Sequence, residues 1–166
     1  NVEGTINILE ASKNFEIDEI IVTSTSETYG TANYIPMDEK HPLSAQSPYS
    51  ASKISADHLA LSYWKSFKLP IKIIRPFNTY GPRSHFEGDA GEMIPKSIIR
   101  AIYGKPILVF GDGSQTRDFT YVTDTAKALF AASQYEELIG GTFNIGSSFE
   151  ISIKKVAEMI KDAISN

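Results

Sequence analysis

An α/β fold built on a parallel sheet is what this sequence predicts, on three observations. Segments of helical period alternate with short apolar segments along the chain, which is the pattern of helices layered on a parallel sheet. Two short segments, residues 19–24 and 71–75, read as buried strands, the first of them β-branched and apolar without alternation. Between them a long helical stretch opens on Ser47-Pro48, a favoured cap followed by proline at the first helical position.

Each element follows in order. Residues 2–13 have helical spacing, with Ile6, Leu9 and Ala11 among the apolar positions. Residues 19–24 read as a buried strand. Residues 30–48 form a polar loop carrying Pro36 and Pro42. Residues 48–67 form the long helix, stopped near Leu69-Pro70. Residues 71–75 are a second buried strand, ended by Pro76. A Gly- and charge-rich loop spans 81–91, and its Gly88-Asp89-Ala90-Gly91 stretch reads equally as a substrate flap or a plain loop. Residues 93–103 form a helix closed by Gly104. Residues 107–110 and 119–122 flank Asp112-Gly113 and look like short strands around a turn. Thr123 can cap a helix running through Ala132, residues 142–145 are a third strand, and Ser152 can cap the last helix.

Composition narrows the function classes. The 166 residues suit one ordinary domain, and 42% apolar residues is a globular content. The formal net charge is −4 with the two signs interspersed. There is no basic patch interleaved with aromatics, so nucleic acid is not an expected partner. Cysteine is absent, which removes disulfides, thiolate metal sites and a thiol nucleophile and fits a cytoplasmic protein. No apolar run approaches the ~20 residues of a bilayer span, so no membrane partner is expected. His41, His58 and His85 show no ligand spacing and read as surface or structural residues, so no metal site is expected.

Chemistry concentrates in two short motifs, Thr25-Ser26-Glu27 after the first strand and Tyr49-Ser50-Ala51-Ser52-Lys53 at the start of the long helix. Tyr49 falls in the first helical turn and Lys53 four residues on, on the same face. A free phenol has a pKa near ~10. A neighbouring ammonium and the positive end of the helix both favour its ionised form, so Tyr49 is placed to exchange a proton with a substrate hydroxyl. Together the motifs can set a hydroxyl, a carboxylate, a phenol and an ammonium around one carbonyl-sized space.

Four stretches stand in the order and spacing of a known family: Val22-Thr23-Ser24-Thr25-Ser26-Glu27-Thr28-Tyr29-Gly30, Ser47-Pro48-Tyr49-Ser50-Ala51-Ser52-Lys53, Arg75-Pro76-Phe77-Asn78-Thr79-Tyr80-Gly81-Pro82-Arg83 and Phe110-Gly111-Asp112-Gly113-Ser114-Gln115-Thr116-Arg117-Asp118-Phe119. Over nearly its whole length the chain resembles the extended short-chain dehydrogenase/reductases that modify nucleotide sugars, the NAD-dependent epimerases, dehydratases and decarboxylases. The resemblance implies a partial Rossmann-like parallel sheet with a small substrate-binding subdomain. Residues 1–80 would be the distal half of the NAD-binding domain, and residues 81–166 mainly the nucleotide-sugar-binding region, with a return to the sheet. Complete members begin with a strand and a Gly-x-x-Gly-x-x-Gly turn that seats the NAD pyrophosphate. No such turn occurs here, so the chain reads as the C-terminal portion of a longer protein. Its NAD site is then incomplete, and the fragment alone is expected to be inactive.

The resemblance also assigns roles. Thr25 would hold the substrate oxygen that Tyr49 deprotonates, with Lys53 beside it, and both Tyr49 and Lys53 would touch the cofactor. The backbone of Pro76 and Phe77 would lie by the nicotinamide. Asn78 and Arg117 would hold the substrate diphosphate; a guanidinium grips phosphate oxygens in pairs. Ile107 and Phe110 would line the base pocket, the alternative being plain strand packing. Glu27 would be the base that removes the C5 proton from a 4-keto sugar. Ser26 stands where dehydratases of a Thr-Asp-Glu type carry the acid that protonates the C6 hydroxyl. Residues 34–53 most resemble dehydratases of acetamido-sugar nucleotides. A 4,6-dehydratase is therefore the leading reading. A 4-epimerase of UDP-sugars, a UDP-glucuronate decarboxylase and an inactive sugar-nucleotide-binding fragment are the alternatives. The helices at 2–13 and 48–67 match those through which family members commonly form a homodimer.

Overall fold

The computed structural model describes residues 1–88 and 91–165; Asp89 and Ala90, and with them half of the possible flap, lie outside the described residues. The chain divides into two compact units. Unit 1 is Asn1–Phe77 with Asp124–Ile145, and unit 2 is Asn78–Thr123 with the chain from Gly146 onward.

Unit 1 is a three-stranded parallel sheet covered by helices. Helix α1 (Val2–Ser12) leads to β1 (Ile20–Thr23), then a 3-10 turn (Ser26–Tyr29), α2 (Pro48–Phe67) and β2 (Ile71–Pro76). The chain returns through α4 (Val122–Ser133), most of which belongs to this unit, to β5 (Thr142–Ile145). The strand order is β1-β2-β5. Ile20 pairs with Ile71, and Ile73 with Thr142. The central strand β2 is buried from Ile71 through Arg75, Lys72 and Arg75 included. Ile71 and Ile73 meet Leu9 of α1 and Ala60 of α2, with Trp64 against them. Ile74 meets Ala132 of α4 and Ile145 of β5. Burying each such side chain is worth roughly 1.5–3 kcal/mol. The strand at 19–24 was expected to be buried; β1 is instead half-buried, because it lies at the edge of the described sheet.

Polar residues in β2 are handled by specific partners. Lys72, 1% exposed, ion-pairs with Glu19 at 3.1 Å and donates to the Ala132 carbonyl of α4 at 2.8 Å. The long helix α2 starts and stops where the sequence indicates. Ser47 and Ser50 form a reciprocal capping box, Pro48 holds the first position, and Lys68 closes the helix in a left-handed conformation.

Unit 2 holds β3 (Asn78–Tyr80), α3 (Met93–Ile102), β4 (Thr116–Tyr121), β6 (Glu150–Ser152) and α5 (Ile153–Ser165). β4 is central, parallel to β3 and antiparallel to β6. Ser152 caps α5 by accepting from the Lys155 N–H at 3.2 Å. The hairpin expected around Asp112-Gly113 does not form. Residues 107–110 are not a strand, because both edges of β4 are taken by β3 and β6. Asp112 instead closes a local turn by accepting from the N–H and hydroxyl of Ser114. Gly113 is required there: its φ is +75°, and a Cβ would sit 2.7 Å from Val109 and 3.0 Å from Lys154. Among the described residues no helix is long and apolar enough to cross a membrane.

Candidate active site

In unit 1 the site begins at the end of β1. The Ser24 N–H donates to the Ile74 carbonyl, so the ladder runs on to the doorstep of Thr25. Thr25 is extended, and its hydroxyl accepts from the Glu27 N–H at 3.2 Å, capping the 3-10 turn Ser26–Tyr29. The turn closes on Gly30 with φ +67°, where a Cβ would lie 2.5 Å from the Ser44 carbonyl; glycine fits where another residue would not. Ser26 is half-buried and Glu27 is exposed. Thr25 and Glu27 thus face outward at the carboxyl end of a parallel strand, where ligands of open α/β sheets bind.

Helix α2 brings Tyr49 to the same place. Tyr49 is 46% exposed, and its phenol pKa stands above the ordinary tyrosine value. Partial burial is the main cause and the Glu27 carboxylate the second, while a hydrogen bond with the Thr25 hydroxyl works the other way. Thr25, Glu27 and Tyr49 are therefore close enough to act on one another. Lys53, one turn along, donates to the Thr23 carbonyl at 2.8 Å, and its ammonium stands 6.0 Å from the centre of the Tyr49 ring. The ammonium ties α2 to β1, while burial and Glu27 set the upward direction at Tyr49. At the end of β2, Pro76 pairs with Ile145 and the Phe77 N–H donates to the Ile145 carbonyl at 2.8 Å.

The loop between the turn and α2 is held from within. His41 is 2% exposed and edges onto Tyr29. The Asn33 N–H donates to its Nε2 at 2.9 Å, so the ring proton resides on Nδ1, which donates to the Pro42 carbonyl at 3.0 Å. His41 is therefore structural, while His58 and His85 are exposed.

Unit 2 carries the two residues expected at a diphosphate on its neighbouring strands β3 and β4. Asn78 opens β3 opposite Phe119 of β4, and its side-chain amide donates to the Asp118 carbonyl at 3.0 Å. Arg117 is exposed on β4, and one guanidinium N–H donates to the Thr116 carbonyl at 2.7 Å. Between them Asp118 anchors the next turn. It accepts from the Ser147 N–H at 2.8 Å, the Ser147 hydroxyl at 2.7 Å and the Ser148 N–H at 2.9 Å. Ile107 is half-buried and Phe110 is 82% exposed, so Phe110 is not packed as a strand residue would be. Unit 2 also contains a cavity of about 540 Å³ with no charged residue in its lining. It offers no acid, base or phosphate ligand.

Sequence reasoning missed one cluster. Arg75 and Asp57 form a buried ion pair at 2.8 Å, and Tyr29 and Ser24 join it. The signal was present: a charged residue in a buried strand calls for a buried partner, and Asp57 lies two helical turns beyond Tyr49 on the same face.

Comparison with known proteins follows the same lines. A family model described as the NAD dependent epimerase/dehydratase family matches residues 1–146. The low-salt glycan biosynthesis protein Agl12 of Haloferax volcanii is 40% identical over 164 residues, which are 99% of this chain and 51% of that protein. A dTDP-D-glucose 4,6-dehydratase of Dictyostelium discoideum is 39% identical over 96% of this chain and 38% of its own length. The UDP-glucuronic acid 4-epimerase of Bacillus cereus, solved with UDP-glucuronic acid and NAD, superposes with a TM-score of 0.92 at 34% identity, covering 99% of this chain and 51% of that one. The chain spans about half the length of the curated relatives it matches.

Proposed function

The chain belongs to the NAD dependent epimerase/dehydratase family, and from that premise we propose that the protein modifies a nucleotide-diphosphate sugar through a 4-keto intermediate, as a 4,6-dehydratase. The observation that carries this reading is the placing of Thr25 and Glu27 on the turn after β1 and of Tyr49 in the first turn of α2, where the phenol feels the Glu27 carboxylate. The side chains also fit the cofactor. Lys53 gives one N–H to the Thr23 carbonyl, which leaves two donors for cofactor hydroxyls. NAD, when bound, supplies the hydride acceptor.

The chain's own residues do the rest. The Thr25 hydroxyl orients the sugar C4 oxygen, and Tyr49, ionised when the Lys53 ammonium acts on it in the complete site, takes its proton. Lys53 holds the end of β1 against α2. A ketone at C4 acidifies the C5 hydrogen, and the exposed Glu27 carboxylate removes it as a general base; the C6 hydroxyl then leaves as water on a proton drawn from solvent, the hydride taken from C4 would return to C6, and Glu27 gives a proton back to C5. Asn78 and Arg117 bind the diphosphate, and Ile107 and Phe110 flank the base. One observation favours a second reading. Ser26 is too weak an acid to stand in for a carboxyl at C6, whereas a 4-epimerase needs neither that proton donor nor Glu27.

The protein is further read as a cytoplasmic homodimer joined through α1 and α2. Ile8 on α1 is 62% exposed and Phe67 on α2 is 51% exposed, apolar surface that a partner helix would cover. A stable monomer in sedimentation at micromolar concentration would rule the dimer out. Product analysis of the full-length protein tests the reaction: a 4-keto-6-deoxy sugar supports the dehydratase, and a sugar inverted at C4 supports the epimerase. A product lighter by carbon dioxide supports the decarboxylase, and separate calorimetric titrations with NAD and UDP-sugars test the last alternative, a fragment that binds without reacting.

A further inference from the structure

One polar chain crosses unit 1 beneath the candidate active site. Asp57, 1% exposed, sits on α2 four residues beyond Lys53 and eight beyond Tyr49, on the same helix face. Its Oδ2 accepts from Arg75 Nε at 3.0 Å and Nη2 at 2.8 Å and from the Ser24 hydroxyl at 2.9 Å. Its Oδ1 is buried and accepts no hydrogen bond among the described residues, so all compensation of the charge runs through one oxygen. Arg75 continues the chain. Its Nη1 donates to the Tyr29 hydroxyl at 3.0 Å, and its guanidinium lies 5.0 Å from the centre of the Tyr29 ring. Tyr29 in turn donates to Asn144 Oδ1 of β5 at 2.7 Å.

The endpoints of this chain are the segments that carry the chemistry. Ser24 immediately precedes Thr25, and Tyr29 ends the turn that holds Ser26 and Glu27. Asp57 belongs to the helix that carries Tyr49 and Lys53. Arg75 immediately precedes Pro76, with Phe77 next. Apolar side chains of this size would fill the space at lower desolvation cost. What they lack is direction, since a forked guanidinium fixes its partners in angle as well as distance.

We propose that Asp57, Arg75 and Tyr29 form a positioning relay, which sets the separation between the Tyr49 phenol and the Thr25–Glu27 turn by gripping the turn at both ends from the catalytic helix. The relay does not touch substrate. It acts through Tyr49 and Thr25, and it rests on the reading of those residues as the proton-transfer pair.

Tyr29→Phe is the cleanest test, because it keeps the ring under Arg75 and removes only the hydroxyl link. Asp57→Asn is the stronger test, at some risk to folding. Lys72→Met is the control: it breaks another buried ion pair of the same unit that has no link to the turn. Each variant of the full-length protein is read in two ways, by steady-state kinetics and by the nuclear Overhauser contact between the Tyr49 ring and the Thr25 methyl group. The expected result for Tyr29→Phe is a fall in kcat of about tenfold or more, on the scale that misplacement of a reacting group produces. KM for the nucleotide sugar should stay within about twofold, and the Tyr49–Thr25 contact should weaken. Lys72→Met should leave kcat and the contact in place. An unchanged contact in Tyr29→Phe, or an equal fall in Lys72→Met, would overturn the relay. If the contact weakens in Tyr29→Phe while Tyr49→Phe turns over like the unaltered enzyme, the relay stands and the catalytic reading falls.

Discussion

Replacing Arg75 with methionine should destabilise unit 1 strongly, and the structure gives the size of the effect. The side chains of Arg75 and Asp57 are 5% and 1% exposed. Methionine fills much of the same volume but removes both donors to Asp57 Oδ2 and the donor to the Tyr29 hydroxyl. The Asp57 carboxylate would keep only the Ser24 hydroxyl. Breaking a buried pair from one side typically costs about 3–5 kcal/mol, because a charge is left uncompensated. At roughly 3 °C per kcal/mol for a chain of this size, the melting point should fall by about 9–15 °C. Adding Asp57→Asn should recover a large part of the loss, with a coupling of about 2 kcal/mol between the two positions. Urea unfolding followed by the fluorescence of Trp64 is a suitable assay. It is the only tryptophan in the chain and packs against the core of the same unit. A loss below about 1 kcal/mol in Arg75→Met, or strictly additive losses in the double variant, would refute the reasoning.

Three further outcomes are expected. Tyr49→Phe in the full-length protein should lower turnover by about two orders of magnitude or more, the scale of lost acid–base catalysis; near-normal rates would remove Tyr49 from the mechanism. Glu27→Gln should stop exchange of the sugar C5 hydrogen with solvent while leaving some cofactor reduction, read by mass spectrometry and absorbance; continued exchange would exclude Glu27 as the C5 base. Tyr34 donates to Asp38 at 2.7 Å, and its phenol is pushed up to about 12, first by that hydrogen bond. The raised value means the stabilisation is fully present below ~10, the unfolded phenol value, and is lost as pH rises through the folded value. Alkaline absorbance titration should therefore lose its latest-titrating phenol in Tyr34→Phe, and an unchanged curve would contradict the contact.

Much of unit 1 was legible in the sequence because its signals are local. Ser47-Pro48 marks the start of α2 to the residue, and the segments read as strands at 19–24 and 71–75 become adjacent parallel strands. The positions of Thr25, Glu27 and Tyr49 followed from strand end and helix start. What escaped was set by non-local pairing. Asp112-Gly113 is a sound local turn signal, yet β4 takes its partners from β3 and from β6, about thirty residues on, and no local pattern announces that choice. Spacing put Lys53 one turn from Tyr49, but its hydrogen bond to the Thr23 carbonyl is a tertiary contact that spacing does not announce. The Asp57–Arg75 pair links positions 18 residues apart and becomes visible only when helix and strand are packed.

The most direct measurement is the mass of the product formed by the full-length protein from nucleotide-diphosphate hexoses in deuterated water. The account predicts a nucleotide sugar that has lost one water and carries one solvent deuterium in place of hydrogen at C5, formed through Tyr49 and Glu27. A product isomeric with its substrate, or one formed without solvent deuterium, would contradict it.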